Sequence, residues 1–176
     1  QLESSKENLI FLSKKLLELP QGGTAVGSGI NAHKQFSKYF AQEVTKLTGN
    51  KYKFISSNNF YHELSAQDCS VQLSGELKNL AIILMKISND LRWMNSGPLS
   101  GLSEIELKAL QPGSSIMPGK INPVIPEAVA MASADVIGND VSISVAAQSG
   151  SFQLNVMLPV IAYNLLKSIN LLSGAM

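Results

Sequence analysis

The sequence has one cysteine, two histidines and few charges: 15% of its 176 residues are Asp, Glu, Lys or Arg. A single thiol, Cys69, rules out an intrachain disulfide and fits a reducing compartment. Cys69 falls in a helical pattern, where a structural thiol is the expected reading. Two histidines and one cysteine give poor support to a transition-metal site. The net charge is +1, and there is no basic run or aromatic–basic interleaving. That argues against nucleic acid as a partner. Wholly apolar runs fall far short of a bilayer span, so we expect no transmembrane helix and no membrane partner. The opening Gln1-Leu2-Glu3 does not read as a signal peptide and lacks a starting methionine. The chain reads as beginning and ending inside helices, so a piece of a longer protein is expected. We expect a cytoplasmic location, with a mitochondrial one as the alternative for a eukaryotic source.

Apolar residues are plentiful, at 45%. At this length they suffice for one domain with a sizeable core, and the surplus points to burial against partner chains. Leu2, Leu9, Leu12, Leu16 and Leu19 recur at helical spacing with polar residues between them, and Pro20 stops the run. A glycine-rich loop, Gly22–Asn31, follows. It reads as a turn between helices, with an anion-binding nest as the functional alternative. A short helix is expected from about His33 to Leu47, closed by Gly49.

The longest predicted element runs from Ser57 or Asn58 to about Asn95. Its stripe of Leu73, Leu77, Leu80, Leu84, Ile87, Leu91 and Met94 alternates spacings of four and three, an a/d heptad seam. Leu80–Met85 is apolar all round and must be covered on every side. Ser96-Gly97-Pro98 ends the element. From Leu99 to Pro126 the chain is rich in proline and glycine and reads as one long connection, a length that usually carries function. Helix resumes at Pro126-Glu127, with a break expected at Gly138-Asn139. A last helix spans about Phe152 to Leu172, with Pro159 marking a kink or the helix start. The predicted fold is therefore all-α, a long-helix bundle.

Chemistry concentrates in Gly113-Ser114-Ser115-Ile116-Met117-Pro118-Gly119-Lys120-Ile121-Asn122-Pro123. Two hydroxyls, an ammonium and an amide lie within nine residues, with glycines that let backbone approach a ligand. Lys120 can neutralise a carboxylate and Asn122 can donate to it. A serine here acts as a base only where backbone N–H groups, a helix dipole or Lys120 stabilise its alkoxide. A flexible Gly/Ser surface loop is the plain alternative. The Walker A spacing is absent. Glu127 either favours the helix dipole as a first-turn acid or orients a histidine. His33 and His62 read as exposed or helix-end residues.

The 113–122 segment resembles the signature of the fumarase/aspartase superfamily, Gly-Ser-x-x-Met-x-x-Lys-x-Asn, without a gap. Gly22–Asn31 is similar to the family's Gly-Gly-Thr-Ala-Val-Gly-Thr-Gly-Leu-Asn, with Ser28 and Ile30 as replacements. Leu84–Trp93, Ile137–Asp140 and Leu154–Val156 also match, so the resemblance covers the whole chain. It implies that residues 1–176 form the central helical, tetramerising domain of a class II fumarase, with the N- and C-terminal domains lying outside this sequence. Four such domains would pack as a homotetramer around a bundle of about twenty helices. The implied reaction is reversible hydration of fumarate to malate, with no redox cofactor and no metal.

On the same resemblance Ser114 is the base and Glu127 pairs with a catalytic histidine. Ser115, Lys120, Asn122 and the Ile121 backbone bind the substrate carboxylates. That histidine and a Ser-Ser-Asn-Asp substrate segment lie outside this chain, so we expect it to be inactive alone. Leu99 departs from the family, whose members usually carry Arg after Ser-Gly-Pro. Aspartase, and a non-catalytic helical assembly module, are the alternative functions.

Overall fold

A computed structural model describes residues 1–176 as six α-helices and one two-stranded sheet. The helices are α1 (Leu2–Ser13), α2 (Phe36–Leu47), α3 (Phe60–Ser65), α4 (Asp68–Met94), α5 (Val124–Ala147) and α6 (Leu158–Ala175). The fold is the expected all-α bundle. At 1.5 Å per residue α4 is roughly 40 Å long, and α5 and α6 lie along it. Leu73, Leu77, Leu80 and Leu84 of the heptad seam are buried with Ala81, Val136 of α5 and Leu172 of α6. Leu9 and Leu12 of α1 close this core from the other side. A second, smaller core joins Ile143, Ala146 and Ile161.

Polar contacts fix the register between these helices. Asp140 of α5 is buried and accepts from Ser74 Oγ at 2.7 Å and Lys78 Nζ at 2.6 Å, both on α4. Asn139 donates to Ser168 of α6 at 3.1 Å. Ser5 of α1 donates to Glu76 of α4 at 2.6 Å. Each bond holds at only one axial position, so together they forbid the sliding that an apolar seam alone permits. Asn155 joins two helix ends. Its amide donates to the Ala146 and Ala147 carbonyls at 3.0 and 3.1 Å, and its Oδ1 accepts from the Met157 N–H at 2.8 Å. The last carbonyls of a helix otherwise lack partners.

Several boundaries differ from expectation. α1 ends at Ser13. Lys14–Leu17 tighten into a 3₁₀ turn, and Glu18–Leu19 (β1) pair in parallel with Ile55–Ser56 (β2). The apolar spacing of Leu16 and Leu19 persists through that change of backbone. α2 begins at Phe36, three residues later than expected. The element expected from Ser57 to Asn95 is two helices. Asn59 caps α3 by accepting from the His62 N–H at 3.2 Å. Extended backbone at Ala66 then precedes the start of α4. In contrast, α5 runs unbroken through Gly138-Asn139, because Asn139 is held by Ser168 and Asp140 by α4. Contrary to the expectation of no such helix, α5 is long and apolar enough to cross a membrane by length and composition. Here its inner face packs on α4 and α6. α6 starts at Leu158, with Pro159 in the first turn, where its missing N–H costs nothing.

Much apolar surface remains open. Ile82, inside the apolar-all-round segment of α4, is 51% exposed. Met131, Val141 and Val145 of α5 and Tyr163 and Leu166 of α6 are exposed as well. The accessible surface is 11471 Å². A folded monomer of this mass exposes about 8,300 Å². The difference, roughly 3,000 Å² by the same scaling, is on the scale of a large protein–protein interface.

Candidate active site

Residues 113–122 form a loop closed at its neck. The Gly113 N–H donates to the Lys120 carbonyl at 2.7 Å, Pro112 bridges Ile121, and Asn122 Nδ2 donates to the Gly113 carbonyl at 3.3 Å. Gly113 is required by contact: a Cβ there would lie 2.8 Å from the Lys120 oxygen and 2.9 Å from Asn122 Oδ1. On the returning limb the Lys120 N–H donates to the Met117 carbonyl at 3.2 Å. That turn passes through Gly119 at φ +80°, a conformation that side chains disfavour. Ile116 and Met117 stand exposed at the tip.

Within this ring Ser114 is half-buried, and its Oγ accepts two backbone N–H groups, Ile116 at 3.1 Å and Met117 at 3.3 Å. Two amide dipoles aimed at one hydroxyl oxygen stabilise negative charge on it, the condition for a serine to act as a base. Ser115 and Lys120 are exposed, and Lys120 has no carboxylate within ion-pair distance. Asn122 is half-buried, holding the neck with its amide.

Four of the candidate residues divide between two clefts, and Ser115 and Asn122 line neither. Ser114, Lys120 and Ile121 line one of about 410 Å³ with Gln111 and Pro112. Glu127, half-buried in the first turn of α5, lines another of about 380 Å³ with Asn89, Arg92, Trp93 and Ser96 from the end of α4. Ile121 borders both clefts. Ile121 thus connects the cleft of the loop with that of Glu127, and this chain brings no histidine to Glu127. Ser114, Lys120 and Glu127 are expected from sequence, whereas Arg92 and Asn89 join the Glu127 cleft without having been expected there. Both lie in the Leu84–Trp93 segment that resembles the family, and their i, i+3 spacing puts them on one face of α4.

Both histidines lie elsewhere. His33 Nδ1 accepts from the Gln35 N–H at 3.2 Å. The His62 ring sits between Glu63 at 3.0 Å and Asp68 at 3.2 Å. Hydrogen bonding to Glu63, and then to Asp68, raises its pKa above the usual 6.5. Cys69 is half-buried, and burial, with Glu63 nearby, pushes its thiol up. It is poorly suited to nucleophilic work at neutral pH. The Gly22–Asn31 loop packs on α3: a Cβ at Gly23 would meet Phe60 at 2.7 Å, and one at Gly27 would meet the Tyr61 backbone N at 2.6 Å. Its glycines thereby acquire a packing role.

The profile of a family described as lyase matches residues 1–138. Among curated proteins, the chain is 63% identical over 159 residues to a class II fumarate hydratase of Pseudomonas aeruginosa, covering 90% of this chain and 34% of that protein. It is 56% identical over 174 residues to a class II fumarate hydratase of Xylella fastidiosa, covering 99% of this chain and 36% of that one. A crystal structure of a class II fumarase from Schistosoma mansoni superposes with a TM-score of 0.96 at 36% identity, covering 99% of this chain and 39% of that one. The chain therefore spans about a third of the length of the curated relatives it matches.

Proposed function

Since the chain belongs to the lyase family, we propose that it is the central helical domain of a class II fumarate hydratase and supplies one part of a composite active site. The observation that carries this reading is Ser114. Its Oγ receives two backbone N–H bonds inside a closed loop that also presents an unpaired lysine. The names of the curated relatives favour the hydratase over the aspartase alternative.

In the dehydration direction Ser114 Oγ, as alkoxide, takes the proton from the carbon next to a carboxylate. The C–H electron pair moves into that carboxylate to give an aci-carboxylate dianion. Lys120 and Asn122 neutralise and hydrogen-bond the developing charge, with Ser115 and the Ile121 backbone holding the substrate. Collapse of the dianion forms the C=C bond and breaks the C–O bond, and an acid protonates the departing hydroxyl to water. Glu127 orients an imidazole supplied from outside these 176 residues. The hydration direction runs the same steps in reverse. No redox cofactor or metal enters this scheme.

We further propose a homotetramer in which the open faces of α4, α5 and α6 are buried. The roughly 3,000 Å² of surplus surface supports this. On this reading the isolated chain is inactive, and a cytoplasmic location is the working assignment. The test is an ultraviolet assay for fumarate on the full-length parent, with malate and aspartate in parallel. Fumarate from malate alone, with nearly complete loss in Lys120→Ala and Ser114→Ala, is the expected result. Fumarate from aspartate alone moves the assignment to aspartase. Full activity in Lys120→Ala removes the site assignment and favours an assembly module.

A further inference from the structure

The last turn of α4 carries the only arginine of the chain. α4 has three cations. Lys78 pairs with Asp140 and Lys86 with Asp90, but Arg92 has no carboxylate within ion-pair distance. Its guanidinium has one neutral contact, donating from Nη1 to Asn89 Oδ1 at 3.2 Å, one turn back. Most of its five N–H donors stay free in a planar fork suited to a carboxylate. The side chain lines the 380 Å³ cleft, with Asn89, Asn95 and Ser96 on its own wall and Ile121 and Glu127 among the facing residues.

The charges in this cleft restrict what can enter it. A dianionic substrate presents two carboxylates. Lys120 offers a cation on one side of Ile121, in the neighbouring cleft. On the other side stands Glu127, whose negative charge opposes a second carboxylate, and Arg92 is the only cation lining that cleft. A cation near a helix C-terminus also interacts favourably with the last carbonyls. A lysine would serve that role equally, and its loss would appear in stability. Asn89 fixing the guanidinium, and the absence of an ion partner, point instead to a ligand.

Resting on the hydratase reading, we propose that Arg92 is a substrate-binding residue. It takes the second carboxylate of the dicarboxylate in the Glu127 cleft, with Asn89 setting the plane of the guanidinium.

The experiment uses the full-length parent. For wild type, Arg92→Met and Arg92→Lys, one measures kcat and KM for malate. The inhibition constants of succinate and butyrate, which differ by one carboxylate, are measured alongside. Arg92→Met is expected to raise the malate KM and the succinate constant roughly ten- to hundredfold, the scale of a lost charge-assisted hydrogen-bond pair. Butyrate inhibition should change little, so the preference for succinate collapses, and Arg92→Lys should recover part of it. If Arg92→Met does not fold, Asn89→Ala must weaken succinate severalfold by releasing the guanidinium. An active Arg92→Met enzyme with unchanged KM and succinate constant overturns this inference alone. So does a fall in kcat and thermal stability at unchanged KM. A wild-type parent that yields no fumarate from malate overturns the hydratase reading and this assignment with it.

Discussion

The buried carboxylate of Asp140 offers a quantitative test of how α4 and α5 are held in register. It is 5% exposed and accepts from Ser74 at 2.7 Å and from Lys78 at 2.6 Å. In Asp140→Ala two charge-assisted bonds vanish, and the Ser74 hydroxyl, 3% exposed, is left without its acceptor. An unsatisfied buried hydroxyl costs about 1–3 kcal/mol, and a bond to a charged group contributes about 1.5–3. The Lys78 side chain is 39% exposed, so water solvates the freed ammonium and its share must be discounted. The expected destabilisation is about 3 kcal/mol, at the low end for breaking a buried pair. Asp140→Asn keeps the volume and an acceptor for Ser74 but loses the charge, and should cost about 1–2 kcal/mol. Ser74→Ala should cost about 1 kcal/mol, since Asp140 keeps Lys78. Urea denaturation read by circular dichroism gives all three values from the midpoints at constant slope. An Asp140→Ala protein within about 0.5 kcal/mol of wild type, the range of ordinary surface changes, would refute the register role.

Three further outcomes follow from the geometry. Gly113→Ala should open the loop neck, because its Cβ would lie 2.8 Å from the Lys120 oxygen. In the parent enzyme it should lower kcat by about tenfold or more while the melting temperature stays within a few degrees. By NMR, His62 should titrate above 6.5, with Asp68→Asn lowering its midpoint. A raised folded-state pKa means the stabilisation is fully present below 6.5 and is lost as pH climbs through the folded value. With the side chain 48% exposed, the loss should be under about 1 kcal/mol. Cys69 should alkylate more slowly at pH 8 than a free thiol, because burial holds its pKa up; urea should abolish the difference.

Local pattern set much of this protein in advance. The heptad seam of α4 needed only the 3.5-residue period, and its first four leucines are buried as that period requires. Gly113–Asn122 was legible as a candidate site because its residue types are chemically specific and contiguous. Glu127 stood out by its place in a first helical turn. Three features were decided only in three dimensions. The α3–α4 break depends on an Asn59 cap and on extended backbone at Ala66, within a stretch whose apolar period continues across it. α5 stays straight through Gly138 because Asn139 and Asp140 bond to partners on α6 and α4, 29 and 66 residues away in sequence. The Arg92–Glu127 cleft joins the end of one helix to the start of another across a long loop. Sequence periodicity records which face of a helix turns inward. It carries no record of which distant donor meets which acceptor, and those pairings position the helices that carry the candidate site.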